Sequence, residues 1–239
     1  MTDSKSVLDE LAVIAADFAA ETAERQRRRT LHAEDFDRIA AAGFLLTGVP
    51  ADQGGLWQGP AGSARHYAEM VRVLAHGDPS VALVAAMHPA VTTFFLGVEE
   101  VSDAQAAWLK QRQWVIDQAR HHWWGTVTSE PGSGGDILKT RSRARHDSEL
   151  NYLLSGDKHF GSGSGQVKYM VTTAVCDDSE LPELFFMEYA QVPWDGSAGC
   201  QMTVEWDGMG MTATQSHAFR FSDYPATKAA SAEILAKVA

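Results

Sequence analysis

The sequence predicts an α+β protein: an α-helical bundle domain followed by a β-rich domain. Two observations carry this. From residue 7 to about 118, apolar side chains recur at helical spacing. From about 123 to 222, the chain breaks into seven short runs rich in Thr, Val and aromatics, parted by glycine, proline or acidic turns. With 239 residues, 45% hydrophobic and 21% charged, the chain can bury one large core or two small ones.

The elements follow in order. Val7, Leu11, Ile14 and Phe18 line one helical face, with Glu10, Asp17, Glu21 and Glu24 opposite. A short helix around Phe36 and Ile39 closes at Gly43, because glycine takes the left-handed conformation without a Cβ clash. Gly54-Gly55 and Gly59-Pro60 read as loop, and Tyr67, Met70, Val71 and Leu74 as the next helical stripe. Asp78 caps and Pro79 opens a helix over 81–96 that is apolar on nearly all sides, which places it at the centre of the bundle. Containing His88 and Pro89, it falls short of the roughly 20 apolar residues that span a bilayer, so no membrane insertion is expected. A last helix over 103–118 should turn Trp108, Leu109 and Val115 inward.

Strands are predicted at 123–129, 139–146, 152–155, 168–175, 184–189, 202–206 and 218–222, a spacing that fits an antiparallel barrel or sandwich. Residues 227–239 return to helical composition. The expected division is a helical domain over 1–122, a β domain over 123–226 and the start of a helical tail over 227–239.

A net charge of −11 and a pI near 5.2 argue against nucleic acid as a partner. The one basic cluster, Arg25, Arg27, Arg28 and Arg29, lies beside Glu21 and Glu24 and reads as a solvated face stitched by ion pairs. Cys176 and Cys200 offer neither a disulfide framework nor metal-ligand spacing. His121, His122, His146, His159 and His217 share no metal spacing either and read as surface or edge histidines. The first ten residues lack the basic start and apolar run of an export signal, so a cytoplasmic protein is expected. Dinucleotide-binding, P-loop and nucleophile-elbow motifs are absent.

Chemistry concentrates in residues 126–136, TVTSEPGSGGD, a strand running into a glycine-rich turn. Small residues there let backbone N–H groups approach an anionic or heteroaromatic ligand. Residues 158–165, KHFGSGSG, and 205–217, EWDGMGMTATQSH, follow in order. Together the three segments resemble the acyl-CoA dehydrogenase family, whose middle domain shows a TEPGAGSD turn, a G-x-K-x-[WF]-I-T strand and an MG…S-x-T…F-x-x-V-x-V-P strand. Residues 43–49, Gly54-Gly55 and 78–88 look like the family's N-terminal domain, so the resemblance covers about 7–226.

The resemblance implies a helical bundle followed by an antiparallel β-barrel that binds FAD. It also implies α,β-dehydrogenation of an acyl-CoA-like thioester, with hydride transfer to the flavin. Thr126, Val127, Thr128 and Ser129 would line the flavin, Ser129 bonding the ring, with Gly134 and Gly135 in the turn. Gly135 stands where the family has a serine that meets the pyrophosphate. Ser133 is the hydroxyl that could substitute, and it is assigned to ligand or substrate contact. Phe160 would pack beside the flavin, and Ser162 would sit near its reactive nitrogen. The GSGS run at 161–164 departs from the family's I-T-N and looks closer to reduced-flavin monooxygenases built on the same fold, which is the second reading. The family's glutamate base normally lies in a final helical domain that this sequence lacks. No catalytic residue is therefore assigned, and Glu130 reads as part of the turn. A homo-oligomer, a complementary subunit or a non-catalytic partner is expected on the same ground.

Overall fold

Asp3 starts the first helix: its carboxylate accepts the Ser6 amide at 2.8 Å, and Ser6 Oγ accepts the Asp3 amide at 3.3 Å. In this computed structural model, which describes residues 3–97, 106–177, 179–230 and 234, α1 (Ser4–Ala20) buries the expected stripe Val7, Leu11, Ile14 and Phe18. Then come α2 (Thr22–Arg25), α3 (Ala33–Ala41), α4 (Gly59–Gly77), α5 (Pro79–Leu96) and α6 (Ala106–Ala119). Gly43 ends the α3 region at φ 96°. Asp78 caps α5 by accepting the amides of Ser80 (2.9 Å) and Val81 (3.1 Å). By length and composition α5 could cross a membrane, but most of it is buried inside the protein.

The chain divides into two compact units, Met1–Trp124 with Asp207–Thr214, and Gly125–Trp206 with Gln215–Ala239. Residues 207–214, expected in the β domain, thus group with the helices.

Three helical expectations are corrected. Gly59-Pro60 is the first turn of α4 rather than loop, with Gly59 at φ 81° and proline's missing N–H harmless at a helix start. Leu109 is 45% exposed: Trp108 takes the inward position, stacked on Phe95 at 5.3 Å, and the next residue lies about 100° around the helix. Ile116 faces in and packs with Val49 and Leu96. Residues 103–105 of that predicted helix lie outside the described residues. Arg25 is not on a solvated face: its guanidinium makes two 2.9 Å bonds to Asp35 and one of 3.2 Å to Asp78, and stacks 3.7 Å from the Phe18 ring.

Helices α1 and α4 meet backbone to backbone. A Cβ at Gly77 would stand 2.5 Å from the Ala15 carbonyl oxygen and 3.0 Å from Phe18 Cβ. Gly77→Ala should therefore lower stability by about 1–3 kcal/mol, seen as a lower urea midpoint at unchanged slope. An unchanged midpoint would show that the helices part freely.

The sheet is built from β1 (Trp124–Thr126), β2 (Arg143–Ser148), β3 (Asn151–Gly161), β4 (Tyr169–Cys176), β5 (Pro182–Glu188), β6 (Cys200–Val204) and β7 (His217–Ala230). Pairing runs β4–β2–β3–β7–β5 and returns to β4, while β1 flanks β4 and β6 flanks β7. The sheet is mixed rather than wholly antiparallel, because β2 meets β4 in parallel through Arg143↔Val175 and Ala144↔Cys176. Two predicted boundaries move. β3 continues six residues past Ser155, and β7 runs through Thr227 to Ala230, so this part of the expected helical tail is strand. Thr227 and Lys228 pair with Phe186 and Phe185, and these cross-strand contacts override the local helical composition. Residues 231–233 and 235–239 lie outside the described residues.

Candidate functional site

Strand alternation sorts the residues that follow β1. Val127 is fully buried; its N–H donates to Val171 O at 2.9 Å, and its carbonyl accepts from Thr172 Oγ1 at 2.7 Å. With its side chain buried and both backbone groups engaged, Val127 packs as a core residue. Thr126 and Thr128 fall on the opposite face, half-buried, as is Ser129. These three hydroxyls have no hydrogen-bond partner among the described residues, and they stand within four consecutive positions. Ser129 O accepts the His159 amide at 2.8 Å, which fixes this edge beside β3.

The turn folds on itself. Ser133 N–H donates to Glu130 O (3.1 Å), and Asp136 N–H to Ser133 O (3.2 Å). Ser133 Oγ accepts the amides of Glu130 (3.3 Å) and Gly135 (3.2 Å). Its oxygen thus helps to hold the turn, while the O–H is left to donate. Gly134 and Gly135 sit at φ 63° and 84°, and a Cβ on either would meet nothing within 4 Å. Backbone handedness, with open space alongside, is what requires glycine there.

Beneath the turn lies a pair that sequence reading missed. Lys158 is fully buried and Glu130 nearly so. Lys158 Nζ donates to Glu130 Oε1 (2.7 Å), Thr173 O (2.7 Å) and Thr140 Oγ1 (3.1 Å), so all three ammonium protons are placed. Glu130 also accepts from the Thr140 hydroxyl, Arg141 N–H (2.7 Å), Ser142 N–H (3.2 Å) and Ser142 Oγ (2.7 Å). Burial pushes the Glu130 carboxyl up, but the hydrogen bonds from Lys158, Thr140 and the Arg141 amide outweigh it and hold the group at about 2. Burial draws the Lys158 ammonium down, opposed by Glu130. A carboxylate so satisfied serves as an anchor and not as a proton acceptor.

Two residues beyond Lys158, the pairing of β3 with β7 shifts register. Phe160 takes φ 60°, uncommon for a bulky side chain, and its ring stands 59% exposed, edge-on to Trp206 at 6.3 Å. Ser162 is buried, and its hydroxyl is hydrogen-bonded to Ser216 Oγ at 2.7 Å, either oxygen able to donate, a partner the sequence did not suggest. His217 is buried as well, correcting the surface or edge reading. Its Nδ1 accepts the Trp206 amide at 2.9 Å, and burial lowers its pKa against the opposing charge of Glu205. Among the described residues, no group of three His, Cys, Asp or Glu side chains is placed to hold a metal.

This order of helices and mixed sheet is the acyl-CoA dehydrogenase fold. The FMN-bound TdsC of Paenibacillus sp. A11-2 aligns at a TM-score of 0.70 and 21% identity, over 94% of this chain and 52% of that one. The methanesulfinate monooxygenase MsuC of Pseudomonas fluorescens aligns at 0.68 and 23%, over 93% and 52%. In sequence, the chain is 28% identical to the dibenzothiophene monooxygenase of Rhodococcus erythropolis across 206 residues, which is 85% of this chain and 45% of that protein. It thus spans about half the length of the proteins it matches. No family model matches the sequence.

Proposed function

We propose that this chain is the flavin-holding part of a monooxygenase that uses reduced flavin and dioxygen on a small, largely apolar molecule. The observation that carries the reading is the 206-residue similarity to a dibenzothiophene monooxygenase, which favours this chemistry over the dehydrogenase first expected. None of the similar proteins described above is named for an acyl-CoA substrate, and that expectation loses its support.

The residues present fit a flavin. Thr126, Thr128 and Ser129 offer unspent hydroxyls to a ring edge rich in heteroatoms, and Phe160 offers an uncovered aromatic face. Gly134 and Gly135 leave open space beside their backbone for a phosphate. A reduced flavin would supply the two electrons by which dioxygen delivers one atom to substrate and releases the other as water. The Ser162 and Ser216 hydroxyls form a hydrogen-bonded pair in which either oxygen can be the donor. FMN, named in the TdsC structure, and FAD, implied by the family resemblance, are the two candidate forms. A homo-oligomer or complementary subunit belongs to the same proposal.

Fluorescence titration of the purified chain with FMN and FAD should show saturable binding of at least one. Reduced flavin should then support oxygen consumption coupled to oxygenation of a heteroaromatic or sulfur compound. Anaerobic bleaching of bound oxidised flavin by an acyl-CoA thioester would instead establish dehydrogenation.

A further inference from the structure

We infer that Lys158 and Glu130 form a positioning pair for the flavin-facing edge, setting Ser129 and Phe160 in register with each other. The inference rests on the flavin reading of this site. Glu130 directly follows Ser129 in the chain, and Lys158 lies two residues before Phe160, so the 2.7 Å ion pair ties together the two segments that present these side chains. Among the described residues, the backbone tie between the segments is the bridge Ser129↔His159, and His159 sits midway between Lys158 and Phe160. One backbone bond leaves a strand end free to pivot; a second, charged tie one residue away on each side removes that freedom.

The same Lys158 ammonium reaches Thr173 O on β4, which anchors the assembly to a strand buried along its whole length. Phe160 gains most from this anchoring. Its left-handed backbone is a conformation that persists only where its surroundings over-determine it. Segments 126–136 and 158–165 are separate in the sequence, and the buried pair is the physical reason they act as one site.

A merely structural pair and a positioning pair differ in one measurable respect. In Lys158→Met/Glu130→Gln, both charges go, and the introduced side chain keeps one carbonyl acceptor where the two carboxylate oxygens served the Arg141 and Ser142 amides separately. Much of the stability lost in Lys158→Met alone should return. The cross-tie to β3 does not return, so flavin affinity should stay reduced about tenfold or more, as happens when supporting contacts behind a binding residue are cut. The measurement is a paired one on each variant: the unfolding midpoint, and flavin binding by fluorescence together with the visible spectrum of the bound ring.

Recovered stability with persistently weak binding and a shifted spectrum supports the inference. Recovery of both stability and affinity overturns it, leaving the pair a structural element only. If the double variant does not fold, Glu130→Gln alone decides: it strands the Lys158 ammonium and should lower the midpoint, and at a temperature where this variant is still fully folded its flavin binding should be weakened about tenfold or more, while unchanged binding overturns the inference. Absence of any flavin binding by the unaltered protein overturns the flavin reading and this inference together.

Discussion

Lys158→Met is expected to destabilise the β-rich unit by about 3–5 kcal/mol at pH 7, because it strands the Glu130 carboxylate in a nearly dry site with its ion-pair partner gone. The pH dependence has a definite sign. Glu130 is held at about 2, below its ordinary 4.5, so its contribution is fully present above pH 4.5 and is lost as pH falls toward 2. Integrated over that interval, the linkage is worth on the order of 3 kcal/mol. Urea unfolding of the unaltered and variant proteins at pH 7 and pH 3 gives the check. The gap between them should be wide at pH 7 and narrower at pH 3, and taking the difference cancels the titration of carboxylates common to both. A gap below about 1 kcal/mol at pH 7, the range of an exposed ion pair, would mean that the pair is solvated in solution.

In the helical unit the corresponding change is Arg25→Leu. Arg25 satisfies Asp35 with two bonds, reaches the cap residue Asp78 and donates to Glu21 at 3.1 Å. Removing it leaves two buried carboxylates, of which Asp35 keeps another cation, Arg28 at 3.1 Å. The expected loss is about 3–5 kcal/mol. Arg25→Lys should rescue little of it, because an ammonium cannot reproduce the forked contact with Asp35. Arg28→Leu is the comparison, and it should cost clearly less because Asp35 retains its bidentate partner. Calorimetric unfolding ranks the three. Equal losses for Arg25→Leu and Arg28→Leu would deny Arg25 its special place.

Much of this fold was legible. All seven strands overlap the runs of Thr, Val and aromatics that predicted them, since a strand packed on one face needs residues that fit a pleated, half-buried surface. What the sequence hid was burial of charge. Arg25 sits in a basic run that reads as solvated, and only the approach of Asp35 and Asp78 from elsewhere in the chain reverses that reading. Lys158 was hidden by a boundary. With the strand ended at Ser155, nothing marks the lysine. With β3 running to Gly161, a period of two through Tyr152, Leu154 and Gly156 turns Lys158 inward.

The same period would bury Phe160. The register shift and the positive φ that turn its ring outward have no signature in composition. The hydroxyls of Thr126, Thr128 and Ser129 are legible in the sequence as a group, whereas the full burial of Val127 among them is not. Composition is equally silent on Ser133: a serine in a glycine turn can bond its own backbone, and here its oxygen accepts the Glu130 and Gly135 amides.

The short parallel contact between β2 and β4 has a consequence for how the β-rich unit comes apart. Two register pairs close the sheet there, against seven along β4 and β5. Backbone bonding alone would make it the line of first local opening, the place where the native state breathes. Yet Lys158, on β3, reaches over to Thr173 on β4, and Glu130 holds the Ser142 amide immediately before β2. Closure therefore depends on a proton-sensitive side-chain fastening where other sheets rely on a backbone ladder. Acid should release this line while the long β4–β5 and β3–β7 ladders still hold.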